Sequence, residues 1–522
     1  MLFFLKNLIF EQIKKKKKIA FLLFILSLNS CISVKKYNER LEKPISSEKL
    51  KQDIDYAYLK LQKLHPTLYT YIPKEKLDYK FDSLKNTIRE PLKPLEFYFK
   101  LAPVVAEVRQ GHLRLVPPEK KLTKKEIKKL KEQKGLLGRL SYYVENDKLY
   151  VKDNPEKVAN IKNGSDIIAI NNLETKKLLK KYEPLITSDG YNTTYQKYSM
   201  ARRFPTFFTV EYGIMDSVKI DLKSENTLDQ KIVTREKKSK EDKKKEKTDK
   251  KPTEEKKTKD YNPVTKSFNR NLKFLEKDSS VAYIKIKTFS GTYSQKFYRE
   301  TFREIKKAKS KYLILDIRDN LGGSLAEITN LYSYLAKDKF RFINDLEVAN
   351  RTSITHADYF SHFPNYLKPI AAVGYLPSKL MSLLMVRHKN DKYYLKSQNI
   401  FTPKKPKKDA FEGEIYVLIN GSSFSASSVI SAKLKNDKRA IIIGEETGGA
   451  NDGTVAGIYS TQKLPNSKLK LPIGLFLVQP NIEFTHTMKG VTPDVEIKPT
   501  FQQILERKDV ELEWILKEIK GK

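Results

Sequence analysis

The sequence predicts a multidomain α+β protein with a helical N-terminal domain and an α/β core in its C-terminal half. Three observations carry that prediction. At 522 residues the chain is too long for one hydrophobic core. Ser47–Leu64 places Ile54, Tyr58, Leu61 and Leu64 at helical spacing and stops at His65-Pro66. Two later stretches, Val281–Ile317 and Ile415–Ile443, alternate short apolar runs with helical segments, the pattern of a parallel sheet.

From the N-terminus, Lys14–Lys18 is a charged run and Ile19–Leu28 an apolar segment too short to span a bilayer but suited to a signal h-region. It ends in Leu28-Asn29-Ser30-Cys31, which resembles a lipobox, the pattern after which bacterial lipoproteins are cleaved and acylated on cysteine. Cys31 is the single cysteine, so no intrachain disulfide forms. Residues 1–31 are thus expected to be a lipoprotein signal peptide. The mature body is expected to be extracytoplasmic, in the periplasm or at the cell surface, and held to the membrane by a lipid anchor on Cys31.

Residues 45–120 read as the helical domain, with Leu77–Ile88 and Pro94–Val108 as further helices. The domain ends in QGHLRL, residues 110–115. There a Gly-His step meets an alternating strand and puts His112 at a domain edge. Of the six histidines, His65 precedes a helix-stopping proline and reads as structural. His356, His362 and His388 lie in irregular polar segments. His112 and His486 each sit near a glycine turn. No HExxH pair occurs, which argues against zinc chemistry.

Leu122–Lys134 is a lysine-rich linker or exposed helix. Residues 136–225 hold short strands at Leu149–Val151, Asp166–Ile170, Phe207–Val210 and Val218–Leu222. Ile161–Asn172, IKNGSDIIAINN, resembles the core of a PDZ domain, with Asn172 in place of the last glycine. A PDZ-like domain implies either a strand-addition site for chain ends or a spacer. Residues 235–260 are almost wholly Lys, Glu, Asp, Thr and Ser and are expected to be a disordered insertion.

Residues 270–500 form the α/β part, followed by a C-terminal helix over 501–522. The strand Tyr312–Ile317 runs into Arg318-Asp319-Asn320-Leu321-Gly322-Gly323-Ser324. Paired glycines there let backbone N–H groups approach an anion. Neither a P-loop lysine nor GxGxxG is present, so nucleotide binding is not expected. Ile415–Ile419 is a buried strand broken by Asn420-Gly421 and followed by crowded serines and a helix. A hydroxyl at such a junction is held out of the sheet beside the unpaired N–H groups of a helix start. The same serines also suit a helix cap.

Four segments, QGHLRL (110–115), LDIRDNLGGS (315–324), VLINGSSFSASS (417–428) and IIIGEETGGANDGTVAG (441–457), resemble, in order, motifs of the C-terminal processing (tail-specific) serine peptidases and their tricorn relatives. Gly490-Val491-Thr492-Pro493-Asp494 resembles a fifth. The resemblance covers roughly 50–500 and implies a ClpP/crotonase-like ββα protease core. It implies Ser425 as nucleophile, although Ser422, Ser423, Ser427 and Ser428 share its surroundings. It implies the N–H groups of Gly322 or Gly323 and of Ala426 as the oxyanion hole. The lysine base of one branch is absent. The tricorn / retinoid-binding-protein-like branch uses a histidine, and His112 matches it, with Gln110 where many relatives have Asp. An orienting glutamate is implied, with Glu483 as the first candidate and Glu445 the second.

The expected function is therefore a serine endopeptidase acting on extended or partly unfolded polypeptides. The alternative is a catalytically inactive, peptide- or ligand-binding lipoprotein with the same cleft. No metal or organic cofactor is implied. The excess of 101 Lys+Arg over 63 Asp+Glu lies mainly in lysine runs and surface helices, without zinc-finger or RNP-like patterns, so no nucleic acid partner is expected.

Overall fold

The computed structural model describes residues 33–224, 227–239, 260–262, 267–359, 375–396, 402–483 and 488–522. Cys31 with the whole expected signal peptide, His362, His486 and most of the 235–260 insertion lie outside the described residues.

The α/β part is a six-stranded sheet in the order Val495–Glu496, Ile441–Gly444, Glu414–Ile419, Tyr312–Asp316, Val281–Ile286, Arg270–Phe274. All neighbours are parallel except the last pair. The continuous apolar runs follow from burial on both faces. Ile415, Val417 and Ile419 join the main core, while Tyr416 and Leu418 face a second cluster that includes Ile515. That second face is covered by the helix Val510–Lys520. The expected single C-terminal helix is two helices, Phe501–Leu505 and Val510–Lys520, interrupted at Arg507 with φ 58°. Arg318 ties the second helix to the sheet through Asp509 (2.8 Å) and Asp316 (2.7 Å).

An antiparallel sheet flanks this core, with the long hairpin Thr454–Lys463 and Lys470–Val478 at its edge. The helices Ser47–Leu64, Lys74–Thr87 and Pro94–Ala106 make up the N-terminal part. Buried Asp53 docks it onto the hairpin tip by accepting the N–H groups of Asn466 (2.8 Å) and Ser467 (2.6 Å).

A third, antiparallel sheet occupies 141–234. Its turn Asn171-Asn172 has φ of 51° and 64°, a conformation asparagine tolerates in place of glycine. The expected strand Phe207–Val210 is instead part of the helix Thr194–Tyr212. Phe204, Phe207 and Phe208 are all buried; their i, i+3, i+4 spacing is helical, and a four-residue apolar window hides it.

Candidate active site

Two loops emerge side by side at the carboxyl ends of the adjacent parallel strands Tyr312–Asp316 and Glu414–Ile419. Ligand sites in such sheets form at this edge. The serine-rich turn is fastened to the neighbouring loop by its own side chains. Ser423 Oγ donates to Ile317 O (2.9 Å), Ser427 Oγ to Asn320 O (2.8 Å) and Ser428 Oγ to Ser423 O (2.9 Å). Ser422 is buried. Only Ser425 is part-exposed among the five, and its hydroxyl makes no capping bond to the helix Ala426–Asn436. Its backbone sits at φ 58°, ψ −119°, a region that costs a non-glycine residue about 1–3 kcal/mol and is held only by its surroundings. Ser425 is thereby singled out among the five as the part-exposed serine, on a sharp strand-to-helix turn.

Gly322 adopts φ +98° and packs directly under this turn. A Cβ there would lie 2.7 Å from Phe424 O, 2.8 Å from Ala426 N and 2.8 Å from Ser425 Cβ. No other residue permits that approach. The Gly322 N–H is already donated to Asn320 Oδ1 at 2.9 Å. Among the described residues no acceptor is assigned to the N–H of Gly323 or of Ala426. Gly322 O accepts from Phe289 N (3.0 Å), so in a trans peptide the Gly323 N–H points away from Phe289. Of the two glycines, Gly323 retains the donor an oxyanion would need, alongside Ala426 at the helix start.

His112 reaches the turn from the N-terminal part. Its ring packs on Phe424, centroids 4.8 Å apart, and Tyr195 of the helix Thr194–Tyr212 stacks on Phe424 at 4.5 Å. Phe424 is thus the node where three parts of the chain meet, one residue before Ser425. Gly111 is required by this packing, since a Cβ would fall 2.7 Å from the Phe424 ring. His112 Nε2 is buried and has no hydrogen-bond partner; Nδ1 lies 3.2 Å from the Tyr459 hydroxyl. Burial first, then the Arg114 charge, lowers its pKa to about 4. The imidazole is neutral near pH 7, the form a general base requires. Ser425 and His112 are not hydrogen-bonded to one another here; such contacts often close only when substrate is bound.

The structure does not bring Glu483 to His112. Glu483 is exposed, and its backbone N–H donates to Asn436 at 3.2 Å. Asn436 ends the eleven-residue helix that Ser425 begins, about 15 Å away along its axis. Glu445 accepts the Tyr198 hydroxyl instead. Tyr459 occupies the orienting position at Nδ1. It is aimed there by a bulge between Ala456 and Tyr459 that contains Gly457 at φ +87°.

A second unforeseen residue is Asp189, which is fully buried. It accepts from Gly111 N (2.6 Å), Thr454 Oγ1 (3.3 Å) and Ala450 N (3.4 Å). One carboxylate therefore pins the His112 turn, the glycine-rich loop and the strand that carries Tyr459. Burial pushes its pKa up to about 7, opposed by those three bonds. The sequence signals for Tyr459 and Asp189 are slight: a glycine interrupting an alternating strand, and an Asp-Gly step. Among the described residues no cluster of His, Cys, Asp and Glu could hold a metal ion. A crevice of about 1080 Å³ between the N-terminal helices and the third sheet contains none of the motif residues.

Residues 280–497 match the model of Peptidase family S41. No protein of curated function matches the chain. Among solved structures, mature CPAF aligns with TM-score 0.56 and 14% identity over 89% of this chain and 95% of that one. Mature CPAF complexed with lactacystin aligns with TM-score 0.58 and 14% identity over 91% and 98%. The photosystem II D1 C-terminal processing protease aligns more loosely, with TM-score 0.42 and 14% identity over 88% and 96%. At these identities the CPAF likeness concerns the fold.

Proposed function

We propose that this chain, whose residues 280–497 match Peptidase family S41, is a serine endopeptidase of that family that works through an acyl-enzyme on Ser425. The observation that carries this reading is the strained Ser425 at the start of the helix Ala426–Asn436, with the His112 ring packed on the adjoining Phe424 and its Nε2 unpartnered. Neutral His112 takes the Ser425 proton at Nε2 as Oγ attacks the scissile carbonyl. The Gly323 and Ala426 N–H groups receive the developing oxyanion. The imidazolium returns the proton to the leaving amine as the C–N bond breaks. Water then repeats the sequence to release Ser425. His112 Nδ1–H donates a hydrogen bond to the Tyr459 oxygen, which holds the tautomer with its lone pair at Nε2.

The expected substrate is an extended or partly unfolded polypeptide, and a C-terminal processing role belongs to the same proposal. The Lys14–Cys31 pattern supports an extracytoplasmic location with a lipid anchor on Cys31. The third sheet, with its PDZ-like sequence, is proposed as a peptide-holding module.

The test is intact-mass labelling of the full chain with a serine-reactive fluorophosphonate. A single adduct, absent in Ser425→Ala and His112→Ala, is expected. An adduct that survives Ser425→Ala moves the nucleophile elsewhere. The open Ser425–His112 contact favours one other reading, an inactive peptide-binding protein. Peptide binding with no adduct on the folded chain would select it.

A further inference from the structure

The third sheet ends in an open edge. Its strand order closes with Asp166–Ile170, Ser217–Ser224 and Thr227–Thr234, so the last strand is bonded on one side only. It meets Ser217–Ser224 in one unbroken antiparallel register, from Ser217 opposite Thr234 to Ser224 opposite Thr227. Backbone groups in such a ladder point alternately towards the neighbour and away from it. The Gln230 N–H donates to Asp229 Oδ1 at 2.8 Å, so Gln230 points away from the neighbour, and Leu228 and Ile232 point away with it. Among the described residues no other element bonds to Thr227–Thr234.

The side chains divide with the same period of two. Val233 is buried on the core face with Val218, Ile220 and Leu222 of the neighbouring strand. On the other face Leu228 and Ile232 are 76% and 64% exposed. They flank Gln230, whose Nε2 donates to Asp221 Oδ1 at 2.8 Å. Proteins blunt such edges with proline, with a bulge or with charges that repel a second strand. This strand has no proline and no bulge. Its two charges are of opposite sign, with Lys231 Nζ 2.9 Å from Asp229 Oδ2. The chain that follows cannot cover the apolar pair, since residues 236–259 contain no aliphatic or aromatic side chain.

We infer that Thr227–Thr234 pairs with the same strand of a second copy of this chain, about a two-fold axis through Gln230. With Gln230 opposite Gln230, an antiparallel pair sets position 228 against 232 and position 229 against 231. Leu228 then faces Ile232 of the second copy on the outer face, and Asp229 faces its Lys231 on the other, each contact occurring twice by symmetry. Sliding one strand by two residues, the smallest step that keeps the outward backbone groups in phase, brings Asp229 opposite Asp229 or Lys231 opposite Lys231. Like charges directly opposite are destabilising. The strand therefore selects one register with its own copy, a complementarity that an arbitrary polypeptide strand does not share.

The contact is smaller than a standard interface, so the dimer is weak, with a Kd of about 10–100 μM, and sedimentation equilibrium of the full chain should pass from monomer to dimer mass across that range. Asp229→Lys and Lys231→Asp should each weaken the dimer about tenfold or more, since each sets like charges opposite. An equimolar mixture of the two variants should restore it, because each strand then meets its complement. Far-UV circular dichroism unchanged in both variants separates this loss from a loss of fold. The register is read with cysteines in the chain carrying Cys31→Ser. Gln230→Cys should form an intermolecular disulfide under mild oxidation, since facing Cα atoms lie about 5.5 Å apart. Thr234→Cys, whose counterpart lies about 27 Å along the ladder, should not. A chain that stays monomeric throughout overturns the proposal, as does a dimer indifferent to both charge reversals or one cross-linked at Thr234 instead of Gln230. An unfolded polypeptide that binds a monomeric chain and is lost with Ile232→Lys assigns the edge to substrate and overturns it as well.

Discussion

Replacing Asp189 by Asn should make the difference in stability between the two proteins depend on pH, with a sign that can be worked out beforehand. The Asp189 carboxyl titrates at about 7 in the fold against 3.8 for the free group. Between those values the native state holds a proton that the unfolded chain has released. The stability it contributes is complete below the unfolded value and is lost as pH rises through about 7. The whole interval is worth about 4 kcal/mol. Asn carries no such dependence. It keeps an oxygen for Gly111 N but sets its amide against the N–H of Ala450. That contact is already long at 3.4 Å, so its loss costs about 1 kcal/mol. Asp189→Asn should therefore be about 1 kcal/mol less stable than the parent at about pH 4 and about 3 kcal/mol more stable at about pH 9. Urea denaturation of both full chains, followed by far-UV circular dichroism across that range, measures the difference. A difference that stays flat with pH would refute the reasoning, because the carboxyl would then be titrating as a solvated group. Fluorophosphonate labelling should survive Asp189→Asn and fall in Asp189→Ala, which removes the acceptor for Gly111.

Other outcomes follow from the same geometry. Tyr459→Phe leaves His112 Nδ1 without its partner, a loss of about 1–3 kcal/mol, and should slow labelling roughly tenfold or more; Glu483→Gln should leave the labelling rate unchanged. Gly322→Ala forces a Cβ to within 2.7 Å of Phe424 O at φ +98° and should reduce labelling by about two orders of magnitude or more, since it displaces the turn that carries Ser425. The pKa of His112 is lowered to about 4, so the labelling rate of the parent should hold its plateau down to about pH 5 and fall only below it. For the same reason His112 makes the fold less stable as pH drops from 6.5 towards about 4, the window in which the unfolded chain gains a proton that the buried imidazole refuses.

The parts of this site that could be read from the sequence are those encoded locally. The strands around Ser425 are continuous apolar runs because both sheet faces are covered, and glycines mark the turns where backbones touch. Ser425 could not be singled out by spacing. It is distinguished by the bonds its neighbours make to Ile317 and Asn320, more than a hundred residues away. Tyr459 and Asp189 act on the His112 turn across separations of 347 and 78 residues, and no periodicity carries such information. Glu483 is implied only by likeness to a branch and not by its own surroundings, and its bond to Asn436 holds it at the far end of the helix Ala426–Asn436 from Ser425. The strand expected at Phe207–Val210 shows the opposite limit, a helical repeat concealed in too short a window.

Local rules are broken repeatedly around Phe424 and are mostly kept elsewhere. Ser425 is strained, His112 is desolvated with an orphaned Nε2, and Asp189 is a buried acid. Each lowers stability, and a sequence selected only to fold would have no reason to gather them in one place. The strain offers the most direct test. At φ 58°, ψ −119° a side chain costs about 1–3 kcal/mol, whereas glycine occupies the region freely. Ser425→Gly should thus raise stability by about 1 kcal/mol, part of the gain being offset by the added entropy of the unfolded chain. Ser425→Ala keeps the Cβ and should not. If the two variants unfold at the same urea concentration, the turn is not strained, and the case that the fold holds Ser425 ready for attack loses its energetic support.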